Sequence, residues 1–181
     1  MTGPISTAQS VADRVAGLRT DFDTSFAEPA RTLDGETVEL LAIGAGGRPY
    51  ALRLDQASGV HPDRPVTALP TTLRALLGVA GFAGAVVPVY DLAALLGHAV
   101  TQQPRWLVLT AGTPSLALAF HELDHHLRVP VSDVIDDGGR KGYLRGVVRL
   151  PDGNRPIIDV PATRALVHQL AGHPYPQEES R

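Results

Sequence analysis

The stretch GVAGFAGAVVPVYDLAALLG, from Gly78 to Gly97, decides the fold, because the chain repeats it in altered form sixty-eight positions later. The second copy, GVVRLPDGNRPIIDVPA, begins at Gly146. Five residue types recur at matching positions when the copies are laid side by side without a gap. The matches are Gly78 with Gly146, Val79 with Val147, Pro88 with Pro156, Asp91 with Asp159, and Ala94 with Ala162. The pattern predicts a duplicated unit.

A second pair of segments supports the duplication. LLAIGAGGRPYALRLD, from Leu40, matches WLVLTAGTPSLALAFH, from Trp106, at an offset of sixty-six. Each segment alternates large and small residues around a glycine turn, which is typical of a β-hairpin. In the second copy we expect one strand face to carry Leu116, Leu118 and Phe120, and the other face to carry Ala117 and Ala119.

Proline and glycine mark where the strands end. Pro88 lacks a backbone donor, so it predicts a sheet edge or a bulge inside its apolar run. After Asp91 the residues LAALLG predict a short helix that stops at Gly97. Pro161 is expected to open a final helix over Ala162 to Leu170, since the first helical turn does not need its amide.

Three segments are predicted along the chain. Residues 1–36 form an extension with one amphipathic helix, in which Ser10 is the expected cap and apolar residues recur every three or four positions. Residues 37–170 form the main domain, with halves of about 37–104 and 105–170. Residues 171–181 form a polar tail.

Composition excludes several classes of function. The chain has 181 residues, 44% of them hydrophobic, and a net charge of −3, which indicates an ordinary globular domain. Nineteen acidic residues outnumber sixteen basic ones, so no nucleic-acid partner is expected. Cysteine is absent, which excludes disulfides and thiolate chemistry. We expect a cytoplasmic protein without a secretory signal, and without membrane insertion because the longest uncharged run is too short to span a bilayer.

The order of these motifs resembles the CheW-like domain, the adaptor that couples chemoreceptors to the CheA histidine kinase. The resemblance runs from about Thr37 to about Leu170. It rests on Leu69-Pro70, on Gly78-Val79, on the run from Gly84 to Leu92, on Leu96-Gly97, and on LRGVVRLPDGNRPIID in the second half.

The resemblance implies a mainly β fold of two small pseudo-symmetric five-stranded β-barrels, with short helices, around a shared groove. It implies an adaptor that binds a chemoreceptor signalling tip and the regulatory domain of a CheA-type histidine kinase, with no enzymatic activity and no cofactor. The receptor groove is expected to involve Gly78, Val79, Gly84, Val86, Val87 and Pro88. A scaffold of the same fold in a pilus or developmental pathway is the alternative.

Two positions depart from the family pattern. CheW-like domains commonly carry a glutamate before the first proline loop and Asn-x-Arg-Gly in the first-half motif. This chain has Gly59 at the first position, and Gly81, Phe82, Ala83 and Gly84 at the second. If the family's two charged residues pair, losing both is less costly than losing one. We therefore expect a neutral contact here and an altered receptor-facing surface.

One string suggests catalysis, namely His121-Glu122-Leu123-Asp124-His125, which has the H-E-x-x-H form of zinc hydrolases. That form needs a helix, which brings residues four apart onto one side. Here the string follows an alternating strand, on which residues four apart are separated by roughly 13 Å. We expect no metal site and no catalytic residues. Asp91 and Asp159 are interpreted as caps of the two short helices rather than as paired catalytic acids.

Overall fold

The computed structural model describes residues 36–100, 102–136 and 142–172. The predicted N-terminal helix and nearly all of the predicted tail lie outside these ranges. Strands dominate the described part, and two α-helices follow the two copies of the repeat. In chain order the elements are β1 (Thr37–Ala45), β2 (Arg48–Arg53), β3 (Ala57–Pro62), β4 (Leu76–Phe82), β5 (Ala85–Asp91), α1 (Leu92–Leu95), β6 (Trp106–Thr110), β7 (Ala117–Phe120), β8 (Glu122–Pro130), β9 (Val134–Ile135), β10 (Leu144–Val148), β11 (Arg155–Ile158) and α2 (Val160–Ala171).

The strands form two sheets with the same internal order. One sheet runs β8-β1-β2-β11-β10-β9 and the other β3-β6-β7-β5-β4. The duplication maps β1, β2, β3, β4 and β5 onto β6, β7, β8, β10 and β11, and this mapping converts one order into the other. The additional strand β9 has its own counterpart, because the pair Ile135–Val147 corresponds to the isolated bridge between Thr67 and Val79. The predicted duplication is therefore present in the strand pairing.

Each half contributes its hairpin to the sheet of the other half. The β1–β2 hairpin pairs with β8 and β11, whereas β6–β7 pairs with β3 and β5. The two parallel contacts are equivalent: Val89 faces Ala117 in one sheet, and Ile157 faces Ala51 in the other. The halves that are contiguous in sequence are thus interlocked in space.

The expected pair of closed five-stranded barrels is not confirmed. Within the described residues one sheet has six strands and the other five, and the strand pairing closes neither. The edge strands of the two sheets show why the sheets stay open. Strand β9 is two residues long and pairs only with β10, so no ladder joins it to β8. In the other sheet the outer side of β4 is met by Thr67 alone, and β3 remains an edge.

Both sheets curl enough to enclose a small core of their own. In the six-stranded sheet, Val129 of edge strand β8 and Val134 of edge strand β9 belong to one apolar cluster, together with Leu40 and Ile157. The five-stranded sheet has an equivalent cluster that contains Ala117 and Ala119. A larger cluster unites the two sheets.

The predicted two faces of β7 are confirmed. Leu116, Leu118 and Phe120 belong to the central cluster that joins the sheets. Ala117 and Ala119 belong to the core of the five-stranded sheet. Small residues suit this second face, because they leave room for the larger side chains of β4 and β5 within one curled sheet.

The two aspartates of the repeat cap the two helices, as predicted. Asp91 Oδ1 accepts a hydrogen bond from the Ala94 amide at 2.9 Å, and Asp159 Oδ1 accepts one from the Ala162 amide at 3.0 Å. Gly97 follows α1 with a φ of +77°, which ends the helix as expected. The second helix is longer than its counterpart, at twelve residues against four.

The glycines that begin the two copies share one packing constraint. A Cβ on Gly78 would overlap the carbonyl oxygen of Thr67, and a Cβ on Gly146 would overlap that of Ile135. Both glycines also have positive φ angles, +144° and +84°. The repeat keeps glycine here because the preceding segment crosses directly over it. No helix in the described part is long and apolar enough to cross a membrane.

Candidate functional site

The β4–β5 hairpin holds all six residues that the sequence nominates for receptor binding. Antiparallel pairing sets Val79 opposite Pro88 and Gly81 opposite Val86. Directly opposed residues of an antiparallel pair point to the same face. We call the surface formed by Val79, Gly81, Val86 and Pro88 the Val86 face.

Val86 dominates this surface, with 75% of its area exposed. Its neighbour across the hairpin is Gly81, where an added Cβ would meet no atom within 4 Å. The space beside the valine is therefore open. An exposed valine next to an open notch is available for contact with another protein.

The other three nominated residues serve the fold. Val87 is 4% exposed and belongs to the core of the five-stranded sheet. Gly78 permits the close approach of Thr67 described above. Gly84 forms the hairpin turn with Ala83, and both have positive φ angles. The sequence motif thus mixes contact residues with residues that shape the hairpin.

A groove of about 310 Å³ borders the Val86 face. It exists because β5 pairs with β7 only from Val89 onward, which leaves the stretch Ala85–Pro88 unpaired on that side. Pro88 therefore lies on an inner strand of the sheet, at a position where that strand has no partner on the β7 side. The other walls are the turn before β7 and the last turns of α2. The lining residues are Ala85, Val86, Val87, Pro88, Tyr90, Pro114, Ser115, Leu116, Val167, His168 and Ala171.

Arg164 of α2 holds one wall of this groove in place. Its Nη1 donates to the Ala111 carbonyl at 2.7 Å and its Nη2 donates to the Pro114 carbonyl at 3.1 Å. The turn before β7 is thereby fastened to α2. On the floor of the groove, burial raises the pKa of the Tyr90 hydroxyl, so this side chain stays neutral at physiological pH.

The second half of the chain provides an internal comparison. The position equivalent to Val86 is Asn154, an exposed polar residue, and the one equivalent to Val87 is Arg155. Arg155 is held by Asp124 at 2.5 Å and by Asp152 at 3.3 Å. The two hairpins differ at the tip, because two residues join β4 to β5 and six join β10 to β11. The longer connection carries a polar residue at the position where the first hairpin exposes Val86.

Sequence reasoning missed Arg64, which lies at the tip of the same hairpin. Its Nη1 donates to the Gly81 carbonyl at 2.9 Å, and its guanidinium carbon lies 5.0 Å from the centre of the Phe82 ring. Arg64 makes no ion pair with any carboxylate in the described ranges, and its neighbour Asp63 pairs with Arg105 instead. The bridge between Thr67 and Val79 folds this loop against β4 and so brings Arg64 to Gly81.

The histidine string lies on β8 and at its start, not on a helix. His121 precedes the strand and its Nδ1 lies 3.0 Å from the Gln103 carbonyl. His125 faces Ala42 across the ladder with β1. No group of three potential metal ligands occurs within the described residues. The helical geometry that brings the two histidines of such a string to one zinc ion is not present.

The comparisons with known proteins agree with this architecture. The model of the CheW-like domain matches residues 39–167. The chain belongs to the CheW-like domain family. The fold of this CheW-like domain is also similar to that of the scaffolding protein TtCheW from Thermoanaerobacter tengcongensis, with a TM-score of 0.62 and 15% identity over 69% of this chain and 90% of that one. No curated protein sequence matches the chain.

The structure shows what occupies the hairpin tip, where the sequence analysis expected a departure from the family pattern. The His61 ring bridges the two departing positions: its Nε2 would lie 2.8 Å from a Cβ on Gly59, and its centre lies 5.0 Å from that of the Phe82 ring. Arg64 stacks on the same phenylalanine. The sequence analysis expected a purely neutral contact at this place. The structure adds a charged group, because the Arg64 guanidinium from the preceding loop lies beside the turn.

Proposed function

We propose that this chain is a cytoplasmic adaptor that couples a chemoreceptor-type protein to a CheA-type histidine kinase, without carrying out chemistry itself. Membership of the CheW-like domain family supports a scaffolding role in chemotaxis signalling. The receptor contact is assigned to the Val86 face and the groove beside it.

One observation carries the assignment of the surface. The duplication places two equivalent hairpins in the molecule, and only the first exposes a large apolar side chain at its tip. Val86 is 75% exposed, whereas its equivalent is the polar Asn154. Together with the apolar groove beside it, this exposed valine forms a contiguous apolar surface of the kind that protein partners cover.

The site suits a protein partner better than a small molecule. It is an open groove formed by a hairpin, a turn and a helix, and it continues into the exposed Val86 face. Contacts of transient signalling assemblies are typically small and have a polar rim, so a dissociation constant on the order of 1 μM is expected.

Calorimetry tests the proposal in two titrations, one against the regulatory domain of the CheA-type kinase from the same genome and one against a chemoreceptor signalling-tip fragment. We expect both to bind the wild-type chain without an added cofactor. Val86→Asn, which copies the second half of the molecule, should weaken binding of the receptor fragment and leave binding of the kinase domain unchanged. Absence of heat with either partner at high micromolar concentration, with all proteins folded, would contradict the proposal.

A further inference from the structure

We propose that the groove beside β5 is the docking site of the chain's own residues 173–181, and that the Tyr175 side chain fills it. These residues lie outside the described ranges and follow directly after them. The docking goes beyond the adaptor function, because it takes place within one chain and needs no partner. Its consequence, an autoinhibitory contact that covers part of the receptor surface, rests on the proposed receptor contact.

The end of α2 leads this segment to the groove. Val167, His168 and Ala171 all line the groove, and Ala171 is the last residue of the helix. The Gly172 amide still donates to the His168 carbonyl at 3.0 Å, so the helical hydrogen bonding ends at the groove wall. Tyr175 follows Ala171 by four residues, which span at most about 14 Å when extended. The Tyr175 ring can therefore reach the groove without any movement of α2.

The segment carries one aromatic side chain between two prolines. Its sequence is HPYPQEESR, in which Tyr175 lies between Pro174 and Pro176. A residue before a proline avoids the helical region and favours an extended backbone, and this applies to both His173 and Tyr175. Because these preferences already restrict the undocked chain, docking in an extended form costs less conformational entropy. Proline-containing extended segments are recognised by apolar grooves in this way.

The groove offers the apolar walls that such a segment needs. Its volume is about 310 Å³, and Val86, Pro88 and Pro114 are among the residues that line it. Val86, Pro88 and Tyr90 are alternate residues of β5 and therefore share one side of the strand. Burial of a tyrosine side chain removes about 150–250 Å² of its surface from water, which is the main favourable contribution to docking.

Tyr90 supplies a polar anchor for the backbone of the segment. Its hydroxyl makes no hydrogen bond to a described residue, although the residue lines the groove. Burial raises the pKa of this hydroxyl, so the group keeps its proton at physiological pH and remains a donor. The carbonyl groups of an extended proline-containing segment have no partner within the segment. One of them can accept the hydrogen bond that Tyr90 leaves unused.

The charges around the groove also accept this segment, which contains Glu178 and Glu179. None of the groove-lining residues is a carboxylate, so no lining side chain repels the two glutamates. Arg164, which fastens one wall of the groove, donates to two carbonyl groups and has no acidic partner in the described part of the chain. The electrostatic balance at the groove therefore favours an acidic occupant over a basic one.

Tethering makes a weak contact sufficient. A short connection gives the attached segment a local concentration in the millimolar range. With a local concentration of about 2 mM and an intrinsic dissociation constant of about 1 mM, about two thirds of the molecules are docked. A receptor fragment that needs the same groove would then bind about threefold more tightly once the docking is removed.

Amide NMR spectra of the full chain test the docking without a partner. Tyr175→Ser removes the ring, and the amide signals of Ser115 and Leu116 in the groove should shift, whereas that of Asn154 in the second-half hairpin should not. Tyr175→Phe keeps the ring and should retain the wild-type groove signals. Ser180→Ala is the matched control in the same segment, and it should leave all of these signals unchanged.

A synthetic peptide of sequence HPYPQEESR identifies the segment that docks. Added to the Tyr175→Ser chain, it should return the groove signals toward their wild-type positions with a dissociation constant of about 1 mM, and it should shift those of the wild type less. The same peptide with serine in place of tyrosine should have no effect. Wild-type spectra should not change when the protein is diluted about tenfold, because docking within one chain does not depend on concentration.

The outcomes separate the docking from the adaptor function. Groove signals that are the same in Tyr175→Ser and the wild type overturn the docking, and signals that change on dilution overturn it in favour of a second copy. Calorimetry with the receptor fragment should show about threefold tighter binding by Tyr175→Ser, and equal binding overturns the autoinhibitory role. If neither chain binds the fragment, the adaptor function and the autoinhibitory role both fail, whereas the docking is still decided by the amide signals.

Discussion

Replacing Ala83 by glycine should make the protein more stable, which is the reverse of the usual effect of glycine within a strand. Ala83 is the first residue of the two-residue turn between β4 and β5 and has a φ of +46°. The left-handed region costs an L-residue about 1–2 kcal/mol, whereas glycine adopts it freely. The substitution also makes the unfolded chain more flexible, which costs about 0.4–1 kcal/mol. The net expectation is a stabilisation of about 0.5–1 kcal/mol.

Urea denaturation and thermal unfolding measure this difference, and a chain of this size should gain about 2–4 °C in midpoint per kcal/mol. Ala85→Gly is the control. Ala85 is the adjoining exposed residue, but it lies in β5 with ordinary extended geometry, so its replacement should destabilise by about 0.5–1 kcal/mol. Opposite signs for the two substitutions are the prediction. Destabilisation by Ala83→Gly of the same size as the control would refute the assigned turn conformation.

Three further predictions concern the caps, the crossing glycines and the histidines. Asp91→Ala should cost about 1 kcal/mol in urea denaturation through loss of the α1 cap, and Asp91→Asn should cost less, because its side-chain oxygen still accepts the amide; equal losses would show that capping is not the reason for the aspartate. Gly146→Ala should cost about 2–3 kcal/mol because the strand before it crosses too closely, whereas Gly153→Ala, with positive φ but open space, should cost only about 1 kcal/mol; similar costs would remove the crossing argument. His121→Ala and His125→Ala should change stability by no more than about 0.5 kcal/mol, and metal analysis of the wild type should find no stoichiometric zinc; zinc that is lost in either variant would contradict this.

Duplication made most of the local architecture predictable from sequence. The matched aspartates indicated two helix caps, and both are present. The alternation from Leu116 to Phe120 assigned the two faces of β7 correctly, because a period of two is the direct signature of a strand buried on both sides by different neighbours. The helices followed from Asp91, Gly97 and Pro161, whose backbone preferences act within a single turn.

The exchange of hairpins between sheets could not be predicted in the same way. The β1–β2 hairpin would carry the same alternating pattern whether it paired with strands of its own half or of the other half. Only tertiary contacts decide between these arrangements, such as Val89 with Ala117. For the same reason the closure of the sheets was over-predicted, since whether edge strands meet depends on pairing between distant segments.

The candidate site was predicted in part. The motif located the correct hairpin and its exposed residues Val86 and Pro88, but it could not separate them from Val87, which points into the core. A period-two pattern shows which residues share a face, but not which face the core covers when both sides are apolar. The position of Arg64 was not predicted, because this residue belongs to a proline-rich loop without a periodic sequence pattern. Nothing in such a sequence indicates that the loop brings Arg64 to the Gly81 carbonyl.

The most direct test of the account is whether this chain can bridge its two proposed partners through the Val86 face. A chemoreceptor signalling-tip fragment is tethered to vesicles, and sedimentation measures how much kinase regulatory domain they carry down in the presence of the wild-type chain, Val86→Asn, or the control Asn154→Ser. The account predicts that the wild type and the control bring the kinase domain down. Val86→Asn should fail to do so while still binding that domain in solution. Equal sedimentation with Val86→Asn and the wild type would contradict the account.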